Sequence, residues 1–349
     1  MMEYNFKTHF HKISNFKVSN NILLTISKEG IKINNEILLI DYNEFNVINF
    51  IDVDSFFYGN LQVLMLENID TKKKISLNPT YSYYWDSIKQ DKVLISNNRR
   101  TDFNGERIAD YYWYNIKENK VDNLLFTDIP QIKIITNFAY FTSFKSIKSL
   151  SLLTGDYEWE INLEEELSKY KLDKIEKIIG VYNDILWVSC SNALWGIDNI
   201  TGRIEHTFTK PTQIMHQSGA LDFFRGYDGY IDEEKGKLIG FEHETYFELD
   251  LVDLSFKYWI FTKECNEMFT FAPHIGKKCY TTTHIYFIDN IYGKVILFNR
   301  ATKKFDWIYT FAPESCTGIL NDIQITNHKL YVLDTGGTLH IFEKQINNQ

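Results

Sequence analysis

The residues of this 349-residue chain that could do chemistry are scattered along the sequence. Nine histidines and four cysteines could ligate a metal or serve as base and nucleophile. Cys190, Cys265, Cys279 and Cys316 include no adjacent pair and no Cys-x-x-Cys, so a short-spaced zinc or redox motif is absent. They read as reduced, buried thiols. His9 and His11 flank Phe10 and would share one face of a strand. His243 lies in Glu242-His243-Glu244, and His216, His274 and His284 fall in or near expected loops. Three histidines converging from separate strands would hold a metal. No ligand spacing marks such a site, so no metal and no cofactor is expected.

Val332-Leu333-Asp334-Thr335-Gly336-Gly337-Thr338 is superficially similar to the aspartic protease signature. That chemistry needs two carboxylates sharing a proton, and no second Asp-Thr-Gly or Asp-Ser-Gly exists. The segment reads as a hairpin turn. There is no phosphate loop, dinucleotide fingerprint, nucleophile elbow or zinc-protease helix. No catalytic residue is named.

Two segments suit recognition better than reaction. Residues 221–234 mix aromatics, acids, one arginine and two glycines. Aromatics and arginine often anchor interfaces, so Phe223, Phe224, Arg225, Tyr227, Asp228, Tyr230, Asp232 and Glu233 are candidate partner contacts. A long loop packing its own aromatics is the plainer reading. Residues 97–107 read as a second loop, interrupting a hairpin between Val93 and Trp113, and offer Arg99 and Arg100 for anionic groups. Tyr81-Ser82-Tyr83-Tyr84-Trp85 and Tyr111-Tyr112-Trp113-Tyr114 could stack on sugars or bases, but strand alternation would bury every second ring.

The elements that must position these residues are short strands. Ile22–Ile26, Gln62–Leu66, Lys92–Ile95, Asp184–Val188 and Lys329–Leu333 are apolar runs separated by Asn, Asp, Gly and Lys clusters. Only Glu164 to Lys177 looks helical. No Pro/Gly/Ser linker divides the chain, so residues 1–349 are expected to form one domain.

A frame recurs: Asp or Asn, two residues, Thr-Gly or a substitute, three residues, then an aromatic. Its first position falls at 41, 115, 151, 198, 250 and 299, at intervals of 74, 36, 47, 52 and 49. Most of these suit one four-stranded propeller blade. Asp or Asn opens a tight turn, Gly accepts a left-handed backbone, and the aromatic returns between neighbouring sheets. The long interval implies an inserted hairpin at 55–78, or a hidden blade anchored at Asp70. The last blade lacks an outer strand, which Tyr4–Phe10 could supply, closing the ring. The fold expected is an all-β single propeller of seven four-stranded blades, with six or eight as alternatives.

Ala193–Gly202 and Leu150–Trp159 carry this frame most clearly, and it resembles the repeat of pyrroloquinoline-quinone-like β-propellers. The resemblance implies the fold. Quinone-dependent members are exported dehydrogenases with an axial cofactor, calcium and often a vicinal disulfide. This sequence has no adjacent cysteines and no export signal, so it looks like the non-catalytic branch.

The net charge of −9 disfavours phosphate backbones and anionic membranes and suits a basic partner protein. No apolar run is long enough to span a bilayer, and the chain is expected to be cytoplasmic and monomeric. The reading is a non-enzymatic protein-binding propeller, in its specific form an immunity or inhibitor protein neutralising a basic toxin domain. The alternatives are a hydrolase or lyase working in the axial funnel, and a structural scaffold in a larger assembly.

Overall fold

The computed structural model describes residues 4–11, 13–19, 22–27, 30–34, 36–39, 47–50, 55–59, 64–68, 74–77, 82–89, 92–101, 107–118, 120–129, 131–170, 174–190, 193–209, 229–242, 244–268, 277–290, 293–326 and 328–345. They form 32 strands and two short helices. β1 is Tyr4–Phe10. β2 to β5 are Ile13–Ser19, Ile22–Ser27, Gly30–Ile33 and Glu36–Leu39. β6 to β9 are Val47–Phe50, Ser55–Gly59, Leu64–Asn68 and Lys74–Leu77. β10 to β13 are Ser82–Lys89, Lys92–Thr101, Arg107–Asn115 and Lys120–Ile129. β14 to β17 are Gln131–Ile135, Phe138–Thr142, Ser146–Ser151 and Tyr157–Asn162. Helix α1 (Glu164–Lys169) follows. β18 to β21 are Ile175–Tyr182, Ile185–Cys190, Ala193–Asp198 and Ile204–Thr209. β22 to β25 are Tyr230–Asp232, Lys237–Glu242, Thr245–Asp250 and Phe256–Ile260. After α2 (Thr262–Met268), β26 to β29 are Lys278–Tyr280, His284–Asp289, Lys294–Asn299 and Lys304–Thr310. β30 to β32 are Leu320–Ile325, Lys329–Asp334 and Leu339–Lys344.

Seven sheets take four consecutive strands each, from β2–β5 to β26–β29. The eighth has the order β1-β32-β31-β30, with β1 antiparallel to β32 from Tyr4↔Lys344 to Phe10↔Leu339. The N-terminal strand therefore fills the outer position of the C-terminal sheet. Among the described residues the sheets number eight, against seven expected blades with six or eight as alternatives. The 55–78 segment does not form a lone hairpin: β7, β8 and β9 join β6 in a sheet of their own. Asp70, the expected anchor, lies outside the described residues.

Contacts divide the chain into two compact units, Met1–Pro79 with Trp259–Gln349, and Thr80–Tyr258. In the second unit the first strands of successive sheets, β10, β14, β18 and β22, are neighbours in that order. In the first unit β30 lies between β26 and β2, and β2 neighbours β6.

Central strands are apolar on both faces because a sheet lies on either side. In β19, Leu186 and Val188 join a cluster with Tyr140 and Trp159 of the preceding sheet. Trp187, between them in sequence, joins Leu238 and Phe247 of the following sheet. In β31, Leu330 and Val332 pack with Val295 and Leu297, while Tyr331 and Leu333 pack with Phe16 and Leu23. The period of two sends alternate side chains to opposite cores.

Three local expectations change. The helix expected over 164–177 ends at Lys169. Ile175 and Ile178 enter the inter-sheet core as part of β18, where β-branched residues are favoured over a longer helix. The described helices also include α2, which is too short to display a helical period. Of the loop expected at 97–107, residues 97–101 and 107 are strand: β11 pairs β12 through Asn97↔Asp110, Arg100↔Ile108 and Thr101↔Arg107, across a register shift, while residues 102–106 lie outside the described residues. No helix among the described residues is long and apolar enough to cross a membrane.

Candidate functional site

The recurring frame is the turn between the third and fourth strands. Asp198 Oδ1 accepts bonds from Ile200 N, Thr201 N and Thr201 Oγ1 at 3.0, 2.6 and 2.8 Å. Asp250 and Asn299 accept the amides two and three residues on in the same way, and Ser151 Oγ accepts Thr154 N. These amides hold the Asp198 carboxyl below its usual range. The fifth position has positive φ in all four turns, at Gly155, Gly202, Leu254 and Lys303.

Trp159, the aromatic after the turn at Ser151, packs on the turn of the next sheet. Trp159 Nε1 donates to Asn199 O at 2.8 Å, and Tyr140 OH donates to Asn199 Oδ1 at 2.5 Å. A Cβ on Gly202 would come 2.8 Å from Trp159 Cδ2. The turn at 198–202 is therefore braced by the preceding sheet, and the turn tips are presented rather than buried. The third position is Leu153, Ile200 and Val252 in three successive sheets of the second unit, exposed by 66%, 72% and 70%. Nothing in the turn geometry asks for an aliphatic side chain there.

Of the recognition residues expected from sequence, Tyr230 and Asp232 lie in β22 and Glu233 in the turn after it. Tyr230 is half-buried, Asp232 is buried with Lys235 Nζ 3.7 Å away, and Glu233 is exposed. Phe223, Phe224, Arg225, Tyr227 and Asp228 lie outside the described residues. Arg99 lies in β11. Arg100, also in β11, makes a two-pronged bond to Asp110 at 2.9 and 3.3 Å. Tyr111, Trp113 and Tyr114 are buried, and the Tyr114 ring lies 5.4 Å from that of Tyr83.

A second constellation lies in the first unit, at the end of the C-terminal sheet. Val332–Thr338 is the expected hairpin turn, joining β31 to β32. Its Asp334 carboxylate accepts Thr317 N at 2.9 Å and Thr338 N at 2.9 Å, with Thr317 Oγ1 at 3.2 and 3.3 Å. His340 Nε2 lies 3.4 Å and Cys316 Sγ 3.7 Å from Asp334 Oδ2. One ligand atom from each of Cys316, Asp334 and His340 falls within 4.8 Å of the others. His340 is 1% exposed, and among the described residues its Nδ1 has no hydrogen-bond partner.

Burial pushes the Asp334 carboxyl up, but the Thr338 and Thr317 amides, the His340 ring and the Thr317 hydroxyl outweigh it, and the group ends below its usual range. Burial lowers His340, against the pull of Asp334, so the ring is neutral near pH 7. Burial and the Asp334 charge raise the Cys316 thiol.

His9 and His11 stand beside this centre, with rings 4.6 Å apart and His9 6.5 Å from the His340 ring. His284 begins β27 directly after a turn, is buried, and faces Asp306 Oδ2 at 3.8 Å. His216, His243 and His274 lie outside the described residues. Sequence reading missed the Cys316–Asp334–His340 grouping because its members are 18 and 6 residues apart. The one signal was the polar Asp-Thr-Gly-Gly-Thr turn itself.

Four-stranded sheets stacked through such turns define the β-propeller class. No protein-family model and no curated protein matches the chain. Among solved structures the fold is similar to the crystal structure of BamB from Moraxella catarrhalis, at a TM-score of 0.59 and 13% identity, covering 98% of this chain and 100% of that one. The likeness supports a pyrroloquinoline-quinone-like propeller fold. At that identity it speaks for architecture alone.

Proposed function

We propose that the chain is a non-enzymatic protein-binding propeller that grips a partner through the turn tips of its second unit. The observation that carries this is the repeated exposed aliphatic at one turn position, Leu153, Ile200 and Val252. Single exposed apolar residues are ordinary. Repetition at an equivalent position of adjacent sheets places them along one rim, where a partner would cover them.

The net charge of −9 favours a basic partner, with charge speeding encounter and apolar tips holding the complex. An immunity or inhibitor protein that neutralises a basic toxin domain as a monomer is the specific form of this proposal. The test is site-specific photocrosslinking in the native host. A crosslinker at Ile200 should capture one basic protein. One at Ile308, an exposed residue of β29 in the other unit, should not. Equal capture from both positions, or none from Ile200, refutes the rim.

A further inference from the structure

We propose that Cys316, Asp334 and His340 form a binding site for a divalent transition metal of the zinc class. Thiolate, carboxylate and imidazole are the donors such an ion takes. With bonds of about 2.0–2.3 Å, the edges of a tetrahedral shell run about 3.3–3.5 Å between donors. The Nε2–Oδ2 and Sγ–Oδ2 separations of 3.4 and 3.7 Å nearly match these edges before any ion is added.

The donors are also held. Thr317 and Thr338 amides and the Thr317 hydroxyl fix the Asp334 carboxylate. Thr338 Oγ1 bonds Thr317 Oγ1 at 2.8 Å, tying the two loops together. Partners of this kind orient ligands in metal centres. Because His340 Nδ1 has no partner among the described residues, no bond there fixes the tautomer, and the ring can carry its proton on Nδ1 and present Nε2 bare.

Binding breaks the Cys316 S–H bond, forms the metal–sulfur bond and releases one proton to solvent. The imidazole stays neutral as its proton moves from Nε2 to Nδ1. Cys316 is half-buried while Asp334 and His340 are buried, so the fourth position opens to water on the thiol side.

The test uses chelator-treated full-length protein titrated with Co²⁺ and followed by absorption, then displaced with Zn²⁺. One equivalent should bind with a thiolate-to-cobalt charge-transfer band that Zn²⁺ abolishes. Cys316→Ser, a small change at a half-buried position, should remove the band while the thermal transition shows a folded protein. Cys279→Ser should keep it. Thr317→Val, which loosens Asp334, should weaken binding about 10–100-fold. The site is refuted if wild type shows no charge-transfer band, as it would if Co²⁺ sat only on His9 and His11. It is also refuted if the band survives Cys316→Ser.

Discussion

Gly318 and Gly336 lie so close that a Cβ on Gly318 would collide with the Gly336 nitrogen. A Cβ on Gly336 would in turn meet Thr317 C at 2.6 Å. The contact is backbone against backbone, so no rotamer change relieves it. It brings the loop carrying Cys316 onto the turn carrying Asp334. Gly318→Ala should cost about 1–3 kcal/mol of stability by overpacking. Urea denaturation checks this, and an unchanged midpoint would mean the loops separate freely.

Asn199 joins two sheets through its backbone carbonyl and its side-chain amide oxygen. Its carbonyl accepts the Trp159 indole and its side chain accepts the Tyr140 hydroxyl. Burial holds the Tyr140 phenol well above its usual range, so the hydroxyl stays a donor. Asn199→Ala keeps the first bond and orphans the second, at a cost of about 1–3 kcal/mol. Pairing it with Tyr140→Phe should recover part of that loss, because no buried hydroxyl is then left unpaired. A double-mutant cycle measures the coupling.

Stability should fall on mild acidification. Burial lowers His340 and His284 below the ordinary 6.5 despite nearby Asp334 and Asp306. The unfolded chain then takes up protons before the folded one does. Their contribution is complete above about pH 6.5 and is lost as pH falls toward the folded-state values. Asp334, held below its ordinary 3.8, adds a further loss only at lower pH. His340→Gln should flatten the dependence of the denaturation midpoint between about pH 6.5 and 5. An unchanged slope would place the titration elsewhere, with His284 the other lowered imidazole to examine.

The turn frame was legible because its chemistry is local. Asp198, Thr201 and Gly202 close a turn by bonding to their own neighbours, and the sequence records that directly. The Tyr4–Phe10 strand could be placed because the last repeat lacked a partner. The sheet β6–β9 was hidden because its frame is degenerate, leaving a 74-residue interval that also suited an insertion. Arg100 read as a loop cation because its partner, Asp110, becomes visible only once the strands pair across a register shift. Cys316 meets His340 for the same reason: a hairpin folds two distant positions to one end of a sheet.

The rim proposal rests on Leu153, Ile200 and Val252, and charge at these tips should not disturb the fold. Exposed substitutions of this kind change stability within about 0.5 kcal/mol. The decisive measurement is parallel affinity capture from the native host with wild type and with the Leu153→Asp, Ile200→Asp, Val252→Asp triple variant. Wild type should retain one stoichiometric basic protein, and the variant, equally folded by its thermal transition, should lose it. Retention of the same protein by both, or of none by wild type, would contradict binding through this rim.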